Sequence, residues 1–239
     1  MKKSFFIVVI KLFLITLTVS ANQTTQLNNR AFNAVKIKAD NGDASGQFAL
    51  GRMYFHGMLI KKDYAKAAQM YEKAAAQGHV KAMYNLAMLY LNGDGVKKDA
   101  DKAVYYFTKA ADKGDIKSSV HIGDIYYFGK SLQVDYDKAF KAYKKAADLG
   151  YPIAQHKIGL MYKMGNGVEA DIIKAKKYLE QSAMQSCSKA QYDLAKIYLE
   201  GDGIEKDMQL AKKLMQEAYL NGKKEAKIIL DKHKWNIEQ

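Results

Sequence analysis

Residue types that often carry protein chemistry are scarce in this chain of 239 residues. It has a single cysteine, Cys187, so its own thiols cannot form a disulfide framework. We interpret Cys187 as a small filler residue at the start of a helix, with a reactive thiol or a disulfide between two chains as the alternatives. The fold must therefore hold together without disulfides inside the chain.

Arginine is almost as scarce, since Arg30 and Arg52 are the only two among 38 basic residues. Arginine supplies the bidentate hydrogen bonds that read phosphates and base edges, and lysine does not replace it there. The net charge of +13 comes mainly from lysines that are spread over the chain without a dense stripe. This pattern disfavours nucleic-acid binding. It indicates a solvated surface with loose attraction to anionic lipid head groups or cell-wall polymers.

Motifs of nucleophilic and metal-dependent catalysis are missing as well. The sequence contains no HExxH, C-x-x-C or G-x-S-x-G. Its histidines follow no metal-ligand spacing. They are His56, His79, His121, His156 and His233. We therefore predict no catalytic centre, no metal site and no cofactor.

What the chain does contain is a repeat of 36 residues that runs without slippage from Gly42 to Asn221. Glycine starts four of the five copies, and Ser186 starts the fifth. A tandem array of supersecondary units is typical of a solenoid, and solenoids usually bind other molecules and seldom catalyse reactions. The predicted copies are residues 42–77, 78–113, 114–149, 150–185 and 186–221.

Three positions recur in the first half of every copy, at offsets eight, nine and twelve from its start. Their spacing places them on one face of a helix, here termed helix A. Offset eight is Leu or Ile, offset nine is Gly or Ala, and offset twelve is always Tyr. We expect the small residue to let another backbone come close and the tyrosine to fill the space between helices. The tyrosines are Tyr54, Tyr90, Tyr126, Tyr162 and Tyr198.

A loop and a second helix, termed helix B, complete each copy. A glycine in the C-cap position ends helix A, and a second glycine follows two residues later in three copies. Leu59 and Ser131 replace this second glycine in the other two copies, which predicts differently shaped loops there. An aspartate then caps helix B, which carries a recurrent alanine and, four residues later, a large residue. The aspartates are Asp63, Asp99, Asp135, Asp171 and Asp207, and the large residues are Tyr71, Phe107, Tyr143, Leu179 and Met215.

The flanks of the repeats continue the helical pattern. Residues 22–41 contain a leading helix, because the segment from Ala31 to Asn41 matches helix B of an incomplete copy. Residues 222–239 form a capping helix and a tail, in which the lysine-rich segment 223–234 covers the open end. Together with ten paired helices, this predicts twelve helices.

The second copy shows the pattern most completely. It reads Gly78-His79-x-x-Ala82, then Leu86-Ala87-x-x-Tyr90-x-x-Gly93-x-Gly95-Val96-x-x-Asp99, Lys102-Ala103 and Ala110-Ala111. This closely resembles the Sel-one-like repeat, a relative of the tetratricopeptide repeat, and all five copies fit it. The resemblance implies an all-α, right-handed α-solenoid of helix–loop–helix repeats that serves as an adaptor or scaffold for other proteins. Exported bacterial members are implicated in envelope processes or dealings with a host cell. Relatives with a cysteine pair in every repeat were proposed to bind or hydrolyse β-lactams, and this chain departs from them.

The N-terminus is typical of a secretory signal. Two lysines precede an apolar stretch, residues 5–19, whose end suits a signal peptidase. We predict that residues 1–21 form a signal peptide, cleaved between Ala21 and Asn22, of a periplasmic or secreted protein. An uncleaved anchor is the alternative. It is disfavoured because the stretch is shorter than the ~20 residues that span a bilayer and contains Lys11. Cleavage leaves 35 basic and 25 acidic residues, a net charge of +10.

A second stripe on helix A, at offsets three, six, ten and thirteen, lies where related tetratricopeptide folds line a concave groove. Offsets six and thirteen are rich in aromatic residues and offset three in lysine. Such a groove suits an extended or helical partner segment of acidic character. The alternative is that the aromatic side chains pack between neighbouring helices and that the lysines are simply solvated. The groove residues are Phe48, Phe55, Lys81, Tyr84, Lys117, Tyr127, His156, Lys189 and Tyr192.

These patterns predict an exported adaptor without a catalytic centre, which binds a protein or peptide partner in the groove and acts in envelope processes or host interaction. One alternative is a hydrolase that acts on a β-lactam or a cell-wall peptide, although a pair of nucleophile and base is missing. Another is a protein that binds peptidoglycan or another glycan directly. We expect no nucleic-acid partner and no stable membrane insertion after signal cleavage.

Overall fold

The computed structural model describes residues 26–129, 132–201 and 203–236. Within these ranges the chain forms twelve helices and no strand, as the sequence predicts. The first helix, α1, covers residues 26–40. The helices α2 to α12 are, in order, Ala44–His56, Tyr64–Ala76, Val80–Asn92, Ala100–Asp112, Ile116–Phe128, Tyr136–Asp148, Pro152–Met164, Ile172–Ala183, Ser188–Glu200, Met208–Leu220 and Ala226–Lys232. The predicted signal peptide and its cleavage site lie outside the described residues.

The predicted solenoid of helix–loop–helix repeats is confirmed. The even-numbered helices α2 to α10 are the helices A of the five repeats, and the odd-numbered helices α3 to α11 are the helices B. The chain forms two compact units, of which the first ends at Asp99 and the second begins at Ala100. Successive helices pack on one another from α2 to α4 in the first unit and from α5 to α12 in the second. Within a unit, each helix therefore buries its apolar face against its neighbours in sequence.

In the four repeats that lie within one unit, the core lies between helix A and helix B. The large residue of helix B and the alanine four residues before it are fully buried in every copy. A Cβ atom on Gly51 would lie 2.7 Å from the ring of Tyr71, and one on Gly123 would lie 2.4 Å from the ring of Tyr143. The expected close approach of two backbones is therefore wrong in these repeats, because an aromatic ring fills the space beside the glycine.

The tyrosine at offset twelve lies further out than expected. Tyr162 and Tyr198 are buried, whereas the other three are half-buried. A lysine of helix B covers the ring, as in the contact of 5.1 Å between the Lys138 ammonium and the Tyr126 ring. The tyrosine thus closes the edge of the core, and the residue that fills its centre is the large one on helix B.

Each loop between the paired helices is fixed at both ends. The glycine that ends helix A is left-handed in all five copies, with φ between 64° and 82°. The aspartate before helix B donates its amide to the carbonyl of the tyrosine at offset twelve, as from Asp63 to Tyr54 at 2.9 Å. Its carboxylate accepts from the amide three residues later. The structure confirms the caps Asp63, Asp135, Asp171 and Asp207.

The loop of the first copy keeps the left-handed conformation although it lacks the second glycine. Leu59 has a φ of 65°, close to the 68° of Gly95 and Gly167. The expected difference in loop shape is therefore wrong at Leu59, and Ser131, the other substituted position, lies outside the described residues. A leucine in this conformation costs about 1–2 kcal/mol, because its Cβ approaches the following carbonyl.

Candidate functional site

The nine predicted groove residues all lie on helices A and differ in exposure. Lys81, Lys117 and Lys189 are exposed, and the aromatic residues are half-buried. His156 differs from the others because it is buried, with 6% of its surface exposed. These half-buried rings take part in helix packing and keep part of their surface exposed, and the binding of a partner by them stays a prediction. The half-buried residues are Phe48, Phe55, Tyr84, Tyr127 and Tyr192.

Ring contacts hold the aromatic groove residues of the first unit. Phe48 stacks on His79 with centroids 4.4 Å apart and contacts Tyr71 at 5.8 Å. Phe55 contacts Tyr64 at 5.2 Å. His79 is the N-cap of α4, and its Nδ1 accepts a hydrogen bond of 3.2 Å from a first-turn amide. Burial lowers the pKa of His79, which favours the neutral ring that this cap requires.

A fully buried hydroxyl group lies beside these rings. Tyr71 has no exposed surface, and its hydroxyl is the only buried side-chain polar atom without a hydrogen-bond partner in the described part of the chain. The Arg52 guanidinium lies over the adjacent Phe48 ring, 6.0 Å from the centroid. Burial raises the pKa of Tyr71 to about 12, although the neighbouring Asn85 amide and Arg52 charge act in the opposite direction. An unpaired buried hydroxyl costs about 1–3 kcal/mol, so this arrangement requires an explanation.

The corresponding tyrosine of the second unit is satisfied. The Tyr143 hydroxyl donates to the Asp124 carboxylate at 2.6 Å, and the same carboxylate lies 3.2 Å from the Lys157 ammonium. This ammonium also lies over three aromatic rings, 4.7 Å from the centroid of Phe128 and 6.0 Å from that of Tyr127. Burial and the neighbouring Asp124 carboxylate raise the pKa of Tyr143 far above its usual range. A tyrosine, a carboxylate and a lysine thus form a closed polar network next to a groove residue.

Three more charged groups lie near the groove residues towards the C-terminal end of the repeats. The buried His156 faces Asp193, with 2.7 Å between Nε2 and the carboxylate. Two ammonium groups lie over the neighbouring Tyr192 ring, that of Lys196 at 5.9 Å and that of Lys223 at 5.1 Å. Positive charge therefore lies next to a partly exposed aromatic surface here as well. An acidic group of a partner would find both a cation and an apolar contact at this place.

Sequence reasoning did not single out four side chains that determine the polar character of this surface. Two lie at offset ten, inside the predicted stripe, and two at offset seven, outside it, and residue types at both offsets change from copy to copy. The available signal is the reversal of charge at offset ten, from arginine in the first copy to aspartate in the third. The missed residues are Arg52, Asn85, Asp124 and Lys157.

The described residues also bear on the requirements of a metal site, a reactive thiol and a membrane span. Among the described residues, no group of three or more His, Cys, Asp or Glu side chains is arranged to hold a metal ion. Cys187 is the half-buried N-cap of α10 and packs against the core of the last repeat. No described helix combines the length and the apolar character needed to cross a bilayer.

Several solved structures resemble this chain, including the following two. One is a Sel1 repeat protein from Oxalobacter formigenes, with a TM-score of 0.70 and 33% sequence identity over 79% of this chain and 75% of that one. The other is a protective antigen present in uropathogenic Escherichia coli strains, which displays an SLR fold. It has a TM-score of 0.79 and 29% identity over 89% of this chain. The match spans 46% of the antigen. No curated protein matches the chain.

One protein family matches most of the chain. The Sel1 repeat matches residues 44–79, 80–115, 118–151, 152–187 and 188–223. Sel1 repeats build a solenoid that is typical of protein–protein interaction scaffolds and is generally not catalytic. The five matches, together with the five helix pairs, show that this chain belongs to the Sel1 repeat family.

Proposed function

We propose that this protein is an exported, non-catalytic adaptor that binds an acidic segment of a partner protein across its groove residues. The observation that carries the proposal is the combination of half-buried aromatic rings with lysines on the helices A of both units. It is clearest at Tyr192, whose ring has the ammonium of Lys196 on the same helix A at 5.9 Å and that of Lys223 at 5.1 Å. Lys223 also pairs with Glu225. Apolar anchors of this kind supply binding energy, and the surrounding cations select acidic partners and speed their association.

Two further observations support the proposal that the protein is exported and acts outside the cytoplasm. The basic and apolar N-terminal segment that ends at Ala21 is typical of a cleaved export signal, which favours a periplasmic or secreted protein. The similarity to a protective antigen of uropathogenic Escherichia coli favours a role in the envelope or in contact with a host. N-terminal sequencing of the protein from fractionated cells tests the export step, with Asn22 as the expected first residue.

Photo-crosslinking in the native cell tests the adaptor function. A crosslinking residue replaces Lys81 on α4 or Lys117 on α6, which are groove residues in the first and second unit. The matched controls are Lys73 on α3 and Lys109 on α5, one in each unit, and all four lysines are exposed. Mass spectrometry then identifies what is captured.

We expect one discrete protein from positions 81 and 117 and none from positions 73 and 109. The double variant Tyr84→Ala with Tyr192→Ala should reduce this capture while the far-UV circular dichroism stays helical. Equal capture at all four positions would contradict the assignment of the binding face. Capture of cell-wall polymer alone would favour the glycan-binding alternative, and turnover of nitrocefin or wall fragments by the purified protein would favour a hydrolase.

A further inference from the structure

Three positions of the first unit return in the second unit after two periods, 72 residues later. These three positions form what we call the tyrosine site of each unit. In each site, a buried tyrosine of helix B lies near one residue of its own helix A and one residue of the next helix A. The equivalent residues are Tyr71 and Tyr143, Arg52 and Asp124, and Asn85 and Lys157.

The two tyrosine sites differ at two of their three positions. The second site combines the Tyr143 hydroxyl with a carboxylate and a cation, since Asp124 accepts from the hydroxyl at 2.6 Å and pairs with Lys157 at 3.2 Å. The first site combines the Tyr71 hydroxyl with the Asn85 amide and the Arg52 cation. Asn85 lowers the pKa of Tyr71, as a donor does, and no described residue accepts a hydrogen bond from the Tyr71 hydroxyl. What the first site lacks is the carboxylate.

We propose that Tyr71, Arg52 and Asn85 form a subsite for one side-chain carboxylate of the partner segment, in the place that Asp124 takes beside Tyr143. This inference rests on the proposed function, because it assumes that a partner lies across the groove residues. It adds the chemical group that the first unit recognises, an aspartate or glutamate side chain.

The three side chains supply donors that match a carboxylate. The tyrosine hydroxyl, the asparagine amide and the guanidinium all donate, and a carboxylate has acceptor sites on both of its oxygens. Arg52 forms no ion pair with any acidic residue that the structure describes, so its charge is available to a ligand. The Phe48 ring lies beneath the guanidinium, with its centroid at 6.0 Å. A bound carboxylate would make the hydrogen bond that the Tyr71 hydroxyl now lacks.

Access to the hydroxyl requires a local movement, because the Tyr71 oxygen is enclosed. Arg52 is exposed, and its guanidinium lies at the end of a long flexible stem. We expect rotation of Arg52 to admit a carboxylate between the guanidinium and Asn85. The groove residues Phe48 and Tyr84 precede Arg52 by one helical turn and Asn85 by one residue. A segment that packs on these two rings therefore brings its acidic side chain to the subsite.

The binding test uses the full chain and two short polyalanine peptides with blocked ends. One peptide carries a central glutamate and the other a central glutamine. Nuclear magnetic resonance of ring-labelled tyrosines reports on the site, and the Tyr71→Phe variant assigns the Tyr71 signal. We expect the glutamate peptide to shift this signal with saturation and the glutamine peptide to leave it unchanged. Tyr71→Phe and Arg52→Gln should each weaken binding about tenfold, as expected for the loss of one charged hydrogen bond.

Two variants serve as controls for the site. Tyr143→Phe removes the equivalent hydroxyl in the second unit and should leave peptide affinity unchanged. The double variant Arg52→Asp with Asn85→Lys reproduces the second site in the first unit, so its own carboxylate should take the place of the ligand. It should bind no glutamate peptide and should melt at a higher temperature than the wild type.

Several results would overturn the inference. They are equal shifts from both peptides, equal affinity of wild type and Tyr71→Phe, undiminished binding by the double variant, and a lack of saturation at millimolar peptide. A third peptide, without glutamate but with a free C-terminal carboxylate, separates the two sources of this group. Binding of that peptide alone would contradict a side-chain carboxylate.

Crosslinking at position 81 distinguishes failure of the subsite from failure of the adaptor function. Capture of the same protein by the wild type and by the Arg52→Asp, Asn85→Lys variant would contradict the subsite and support the adaptor. Saturable binding of the glutamate peptide without any captured protein would support the subsite and contradict the adaptor.

Discussion

Tyr71 and Tyr143 fill the centre of the first and the third repeat, and both are fully buried. Each ring lies against a glycine of the preceding helix A, yet only Tyr143 has a partner for its hydroxyl. The comparison shows that the repeat keeps its packing positions constant while the residues at offsets seven and ten vary. Packing makes the repeats alike, and the varying polar residues give the Tyr143 hydroxyl an acceptor and leave the Tyr71 hydroxyl without one.

The largest expected effect tests the feature that the two tyrosines share, which is the complete burial of their rings. Tyr71→Ala and Tyr143→Ala each remove a fully buried ring, which should lower the free energy of unfolding by about 3–5 kcal/mol. Tyr143→Ala should lie at the upper end because it also leaves Asp124 without its donor. Urea unfolding followed by circular dichroism measures both changes.

Tyr105→Ala is the matched control for these variants, because Tyr105 lies on a helix B and is 55% exposed. A surface substitution of this kind should change stability by about 0.5 kcal/mol or less. If the buried tyrosines cost no more than Tyr105, their assignment to the core would be wrong.

The glycines beside the two rings should give the second-largest effect. Gly51→Ala and Gly123→Ala each place a methyl group against the tyrosine ring, at 2.7 Å and 2.4 Å. Overpacking costs about 1–3 kcal/mol, of which the better helix propensity of alanine returns up to about 1 kcal/mol. Gly123→Ala should be the more destabilising change, because its methyl group is closer and the Tyr143 hydroxyl is bound to Asp124. Thermal or urea unfolding of both variants checks this order.

A compensating substitution separates overpacking from other causes. In the last repeat, Ala195 and Met215 occupy the positions of Gly123 and Tyr143. Gly123→Ala combined with Tyr143→Met therefore transplants a pair that the chain already uses. If ring and methyl group compete for the same space, the double variant should be more stable than the summed effects of the two single substitutions predict. Simple additivity would show that they do not compete.

The sequence predicts the fold well because the packing positions recur. Leucine or isoleucine at offset eight, glycine or alanine at offset nine and the aspartate cap repeat at the same spacing, so each copy supports the interpretation of the others. The structure confirms the helix pairs, the glycine C-caps and the central residues such as Phe107 and Met215. The tyrosine at offset twelve lies further from the centre of the core than the sequence predicts. Periodicity shows on which face of a helix a residue lies and says little about its distance from the centre of the core.

The tyrosine sites could not be predicted from the same periodicity. Asp124 lies on α6, Tyr143 on α7 and Lys157 on α8, so their contacts depend on the packing of three helices. Residue types at these offsets differ between copies, and a pattern that does not recur carries no signal. The missing partner of the Tyr71 hydroxyl is visible only once the surrounding side chains have coordinates.

The third expected effect is that removal of the two hydroxyl groups changes the free energy of unfolding in opposite directions. Tyr71→Phe removes a buried hydroxyl without a partner and should raise the free energy of unfolding by about 1–2 kcal/mol. Tyr143→Phe removes a hydrogen bond to a carboxylate and should lower it by about 1–2 kcal/mol. Both variants keep the ring, so packing stays constant. Urea midpoints of the two variants and the wild type measure the difference, and equal signs would contradict the comparison.

The smallest expected effect concerns pH. His79 stacks on Phe48 near the first site, and the equivalent residue in the second unit is Tyr151, whose side chain makes no cap hydrogen bond. Burial lowers the pKa of His79 from its usual value of 6.5. An unfolded chain therefore takes up this proton at a higher pH than the folded chain does. Stability is fully present above pH 6.5 and falls as the pH decreases from there towards the lowered pKa of the folded state.

His79→Asn isolates this contribution, because asparagine still caps a helix but does not titrate in this range. The variant should lose less stability than the wild type between neutral and mildly acidic pH, as measured by urea midpoints at several pH values. Part of the dependence should remain, since burial lowers the pKa of His121 in the second unit as well. If His79→Asn keeps the wild-type pH dependence of stability, the cap of α4 would not depend on the neutral imidazole, and the contrast between the two sites would be confined to their hydroxyl groups.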